Sequence, residues 1–257
     1  MMPPAVTLPK NFGSGRRFTR LNTLLLEAVK YRDVTEIERL IKAGANPNAT
    51  CGVDCVSVCH LAAMRSDDAL TILLNAGAER HRSDRLGRTP LHLAAWAGNV
   101  RQIAVLLGLS EELQNRLDAE DMSVATEEEV KKLGQGVQEL VNIKELVNIK
   151  CDFGTNKAKL PQSWKDNAVD HNCKEFEKSL PMFQMGWSSL HAASARGQSR
   201  CARLLIVAGA EPCARDLVGR TPLDIAGSAY YAGQNIDPQK SSENTHQCGL
   251  QELRNQE

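Results

Sequence analysis

A single pattern that returns at a near-constant spacing constrains this chain more than any other feature. Residues 87–94 read Gly-Arg-Thr-Pro-Leu-His-Leu-Ala, and residues 219–226 read Gly-Arg-Thr-Pro-Leu-Asp-Ile-Ala. Looser versions stand at 186–193 (Gly-Trp-Ser-Ser-Leu-His-Ala-Ala) and 57–63 (Ser-Val-Cys-His-Leu-Ala-Ala). Gly186 precedes Gly219 by 33 positions, and Gly87 precedes Gly186 by 99, three times that interval. A period of this length means stacked supersecondary units. Thr89 offers a hydroxyl to an orphan amide at a helix start. Pro90 takes the first helical position, where its missing N–H costs nothing. Leu91, Ala94 and Ala95 form a small apolar face, and Gly98 ends that helix. Val100, Ile103, Leu106 and Leu107 then put an apolar stripe on a second helix. Gly44, Gly77 and Gly209, each followed by Ala, end the second helices of other units. One such pair cannot bury its own face, so neighbours must stack.

These residues resemble the ankyrin-repeat family, whose unit of about 33 residues carries a Thr-Pro-Leu-His signature. The resemblance covers 21–109 and 184–229. It implies an all-α solenoid of stacked helix-turn-helix units with β-hairpin-like tips and a large insert. Residues 1–20 read as a flexible N-terminal segment, and 21–109 as a capping unit plus two repeats. Residues 184–229 read as one full repeat plus a partial cap, and 230–257 as a polar disordered tail.

The stretch 110–183 fits less easily, because long structureless loops inside compact domains are uncommon. It holds helix-like runs at Glu127–Leu133 and Ser163–Leu180, and a perfect duplication, Glu139–Lys144 and Glu145–Lys150, of the sequence Glu-Leu-Val-Asn-Ile-Lys. Six residues span about 1.67 helical turns, so on a helix the two copies would face different sides. In a strand they would share one. Residues 147–155 are similar to an ankyrin hairpin, and Gly154 lies 67 positions after Gly87 and 32 before Gly186, the register of two eroded units. Pro161 falls where the first helix of such a unit would run. A partly helical insert and two eroded repeats both remain open.

Lys plus Arg and Asp plus Glu are 31 each, which leaves no basic excess for nucleic-acid binding. No apolar run approaches the ~18 residues of a membrane helix, and the amino end lacks a signal-peptide core, so membrane insertion and secretion are not expected. The expected location is intracellular, cytoplasmic or nuclear, with reduced cysteines.

Three histidines, His60, His92 and His191, recur at the signature position. The resemblance assigns them structural work, tying each helix start to the adjacent hairpin. The repeat framework likewise includes Gly87, Gly186, Gly219, Thr89, Pro90, Leu91 and His92. Cys51, Cys55, Cys59 and His60 form a dense set of soft ligands. A structural zinc site usually needs paired short-spaced motifs, and burial alone accounts for Cys59. No phosphate-cradling glycine loop occurs. No catalytic residue, cofactor or small-molecule substrate is expected.

Recognition of another protein remains. In the family architecture the hairpin tips and the ends of the first helices line a groove. They map to Met64, Arg65, Arg85, Leu86, Arg88, Trp96, Met185, Trp187, Arg196, Val218 and Arg220, with Lys30, Tyr31 and Leu217 beside them. Trp and Arg are enriched at binding hot spots, and Met suits adaptable contacts. Arg85, Arg88, Arg196 and Arg220 are expected to form a basic stripe for an acidic or phosphorylated segment. The expected function is a non-catalytic adaptor or scaffold. Alternatives are an inhibitor that masks a transcription or signalling factor, and a cysteine-based metal or redox sensor.

Overall fold

The computed structural model describes residues 14–51, 54–65, 67–109, 143–151, 168–169 and 186–233. Helix α1 (Ser14–Tyr31) and helix α2 (Val34–Lys42) form the first unit. Asp33 caps α2 by accepting from the Glu36 N–H, and the helix turns Ile37 and Leu40 inward. Strands β1 (Thr50–Cys51) and β2 (Val56–Ser57) pair antiparallel as a hairpin that leads into α3 (Val58–Ala63) and α4 (Ala69–Asn75). The third unit is α5 (Pro90–Ala97) and α6 (Val100–Leu106). After strand β3 (Ala168–Val169) come α7 (Ser189–Ala195) and α8 (Ser199–Val207), the fourth unit, and α9 (Pro222–Gly233), which opens a fifth. The first helices α1, α3, α5, α7 and α9 stack in one layer, and α2, α4, α6 and α8 in the other. Leu25, Ile37, Leu61, Leu73, Leu91, Ile103, Leu190 and Leu204 fill one continuous core between the layers.

Helix α5 packs directly on α7, and α6 on α8. Among the described residues no unit therefore stands between the third and the fourth, and of the two alternatives for 110–183 this packing does not favour eroded repeats within the stack. The interval of 99 between Gly87 and Gly186 is a coincidence of length. Of this stretch, residues 143–151 pack into the stack at the fourth unit. Residues 143–147 are helical, Leu146 and Val147 are buried, and Lys150 pairs antiparallel with Ser188. Cys151 N–H donates to the Trp187 carbonyl and Gly186 N–H to the Cys151 carbonyl, both at 2.8 Å. The second unit pairs Thr50 with Ser57 in the same way. The hairpin of the fourth unit is thus assembled from two distant segments. Strand β3 runs parallel to β1, with Ala168 opposite Thr50 and Val169 opposite Cys51. These two residues fall within the run read as a helix at Ser163–Leu180; here the free edge of β1 imposes strand pairing. The run at Glu127–Leu133 lies outside the described residues.

Two boundaries move. Helix α1 starts at Ser14, seven residues before the first unit expected from sequence, since no proline and only Gly15 opposes a helix there. Helix α9 continues through Gly233, past the boundary at 230. Among the described residues, no helix is long and apolar enough to cross a membrane.

Candidate partner-binding surface

The surface is built on a repeated local device. At the starts of α3, α5 and α7, a Ser or Thr and the histidine three positions on hold one another. His92 Nδ1 accepts from the Thr89 N–H at 3.2 Å and lies 2.8 Å from its hydroxyl; Ser57 with His60, and Ser188 with His191, repeat the arrangement. The opposite ring nitrogen reaches the next hairpin. His60 Nε2 meets the Arg88 carbonyl at 2.8 Å, His92 Nε2 the Trp187 carbonyl at 3.1 Å, and His191 Nε2 the Arg220 carbonyl at 3.2 Å. A carbonyl only accepts, so Nε2 carries the proton and Nδ1 is the acceptor. Burial pushes His60 down to about 3 and His92 down to about 4, and it also lowers His191. These rings are neutral struts with both nitrogens engaged. In the fifth unit Asp224 takes the histidine position; its carboxylate accepts from the Thr221 N–H and hydroxyl, both at 2.8 Å, and offers no donor to a further hairpin.

Two hairpins are closed by an ion pair that the sequence reading assigned to the groove. Arg88 Nε donates to Asp84 Oδ2 at 2.6 Å, with the two side chains 1% and 0% exposed. Asp84 Oδ1 accepts from the backbone N–H groups of Leu86 and Arg88. Arg220 repeats this with Asp216 at 2.7 Å, at 32% exposure. Burial raises the Asp84 carboxyl against the pull of Arg88. At Asp216 burial also acts upward, but the hydrogen bonds from Arg220 prevail and hold it below the usual range. Arg88 is therefore corrected from a partner contact to a structural clamp, and Arg220 is largely committed in the same way. Trp187 occupies the equivalent position of the fourth hairpin. It is 6% exposed and stacks on His191 with centroids 6.4 Å apart, so it too is corrected to the core. The position after the tip glycine turns under the hairpin, whatever residue fills it. Gly186 itself sits at φ +81, where an added Cβ would lie 2.7 Å from the Leu217 backbone nitrogen, so adjacent tips approach closely.

What faces outward is a row at the ends of the first helices. Tyr31 ends α1 at 72% exposure, with Lys30 Nζ 5.6 Å from its ring centre. Met64 and Arg65 follow α3, both half-buried, and Met64 rests on the core. Burial and then the charge of the Arg32 guanidinium press Arg65 downward, and Arg32 is a cation the sequence reading missed. Trp96 is half-buried in the last turn of α5, and the exposed Arg196 after α7 lies 5.2 Å over its ring. Two candidates from different units are thus brought together. At the tips, Arg85 and Leu86 are half-buried, whereas Leu217 and Val218 are exposed. Met185 lies outside the described residues. The expected stripe Arg85, Arg88, Arg196 and Arg220 does not form as such, since two of its members are clamped by aspartates. The equal spacing Asp84 to Arg88 and Asp216 to Arg220 was the signal that could have revealed this.

Cys51, Cys55 and Cys59 are buried and not disulfide-bonded. Among the described residues no three metal-ligating side chains converge. Burial pushes the Cys59 thiol up to about 12, which keeps it from the reactive thiolate form.

The family model for ankyrin repeats, in three copies, matches residues 25–116, and a further ankyrin repeat matches 185–217. Lys150 and Cys151 of the fourth hairpin lie between the two matches, and Gly186–Ser188 lie within the later one.

Proposed function

Ankyrin repeats form the scaffold of this chain, and from that premise we propose that it is a non-catalytic adaptor whose partner binds along the row of first-helix ends. Repeats of this type generally mediate protein–protein interaction. The observation that carries the reading is the Trp96–Arg196 pair, a partly exposed indole under a guanidinium of the neighbouring unit. Tyr31, Met64 and Arg65 stand at the corresponding ends of the first helices stacked before it. Aromatic anchors beside arginines favour an acidic or phosphorylated segment, with the rings supplying apolar contact and the cations orientation. The inhibitor reading is one biological use of the same surface. The cysteine sensor is not pursued, because the thiols are buried and Cys59 is held protonated.

Selection of ligands from a displayed peptide library tests this. Acidic or phosphorylated winners are expected to weaken about 30-fold with Trp96→Ala, as for a hot spot of about 2 kcal/mol, and to weaken further as salt rises. Ligands that bind Trp96→Ala and Arg196→Glu as well as the wild type, with affinity flat in salt, would refute the reading.

A further inference from the structure

The first unit places an arginine where later units place glycine. Gly98 and Gly197 stand at φ +79 and +66, each directly before the N-cap of a second helix. Arg32 holds the same place before Asp33, at φ +60. A side chain in this left-handed region costs stability that glycine does not lose, so the fold alone favours glycine there. Arg65 lies one residue beyond Met64, the C-cap of α3, and α3 packs on α1. Arg32 is exposed and Arg65 half-buried, and among the described residues neither guanidinium has an ion pair. The carboxylates next to them in sequence are engaged elsewhere. Asp33 Oδ1 accepts from the Thr35 hydroxyl at 2.7 Å and the Glu36 N–H at 3.0 Å. Asp67 Oδ1 accepts from the Ala69 N–H at 3.3 Å, and Asp68 pairs with Arg101 at 2.7 Å. The charge of Arg32 acts on Arg65 more strongly than that of Asp67 does. Two cations are thus gathered without neutralisation, one at a cost in backbone strain and the other in lost solvation.

We infer that Arg32 and Arg65 together receive a phosphate monoester carried by a serine or threonine of the partner, an inference that rests on the partner segment lying along the first-helix ends. A phosphate carries about −1.5 to −2 charge at neutral pH and three acceptor oxygens, enough for two guanidiniums, whereas a carboxylate brings a single charge. The planar fork of each arginine matches phosphate geometry. The site also sets a spacing. Packed helices lie about 10 Å apart, and an extended peptide rises about 3.3 Å per residue. Trp96 ends the first helix one step beyond Arg65. An apolar side chain about three or four positions from the phosphorylated residue therefore reaches the indole. A lipid headgroup supplies the phosphate but no side chain at that interval, which favours a peptide.

Degenerate peptides with a fixed central phosphoserine, serine, aspartate or phosphotyrosine, bound to the full chain, test this. Phosphoserine is expected to bind about tenfold tighter than serine or aspartate, with an apolar residue selected three or four positions away on one side. Arg65→Ala should remove the phosphate preference and keep the apolar one, and Trp96→Ala should do the reverse. Arg32→Gly should remove the phosphate preference while raising the thermal midpoint by about 2 °C, because it relieves the left-handed strain. Recognition lost from a more stable protein is not misfolding. A phosphate preference that survives Arg32→Gly and Arg65→Ala overturns the inference, as does a midpoint that falls with Arg32→Gly. Tighter binding of phosphotyrosine, or binding to phosphoinositide vesicles in place of the peptides, overturns it as well. Apolar selection that survives Trp96→Ala refutes instead the anchor on which the adaptor reading stands.

Discussion

The second and fourth units make the same hairpin from different lengths of chain. Thr50 and Ser57 lie 7 positions apart, and Lys150 and Ser188 lie 38 apart, yet both pairs form the same antiparallel step. Asn48 and Asn148 tie their hairpins to the second-helix end of the same unit through the same two bonds. Closing the longer loop costs roughly 1.5 kcal/mol more by the logarithmic dependence on length. Burying Leu146 and Val147 returns about 1.5 to 3 kcal/mol for each side chain, so the interrupted unit still closes. A unit of this fold is defined by what its surfaces meet, and sequence continuity is dispensable. The interruption is tolerated at the hairpin because only a short ladder crosses it, while the helices that carry the core remain whole.

The third and fifth units extend this comparison, since they share a clamp at different depths. Asp84→Ala should destabilise the protein by about 3–5 kcal/mol, because it strands the 1% exposed guanidinium of Arg88. Asp216→Ala should cost about 1 kcal/mol, because Arg220 can turn to water from 32% exposure. Chemical denaturation of the two variants measures the difference, and equal losses would mean that depth does not set the value of the clamp.

Acid attacks the struts next. His60 and His92 titrate at about 3 and about 4 in the folded chain, below the ordinary value of 6.5. The unfolded chain therefore binds protons first as pH falls. Stability should be level above pH 6.5 and decline below it, reaching a loss of about 2 kcal/mol per buried histidine at pH 5 and levelling near the folded values. Denaturation midpoints between pH 7 and 4 check the slope. A protein equally stable at pH 7 and pH 5 would show that these rings do not govern the stacking.

The smallest effect concerns the end of the stack. Leu91 and Leu223 hold the same place in the signature, but Leu91 is fully buried and Leu223 is 79% exposed. Leu91→Ala should cost about 3 kcal/mol, and Leu223→Ala less than about 0.5 kcal/mol. A large loss at Leu223 would mean that something covers that face.

The periodic framework was legible because its residues answer to local physics. Gly87, Gly186 and Gly219 stand at positive φ, Pro90 begins a helix, and the histidines follow their caps by three positions. What misled was variety. Val56, Arg88, Trp187 and Arg220 share one position, and such variety reads as freedom from core duty. In the fold that position points beneath the hairpin, where an arginine with its aspartate, a tryptophan or a valine can each fill the space. Register arithmetic failed for a related reason. An interval of three periods constrains how much chain lies between two units, and says nothing of whether that chain joins the stack. The Trp96–Arg196 pair lay beyond sequence reasoning, since the two residues meet only because α5 and α7 are neighbours.

The divided hairpin also changes how the molecule would respond to a cut. A backbone break between residues 170 and 185 would leave one fragment ending beyond Lys150 and Cys151, and another beginning before Gly186. Each fragment would keep one strand of the same ladder and the helix faces that meet across it. The fourth unit is thus already divided in the way a split reporter is, and reassembly of its halves would restore the stack without any new covalent bond.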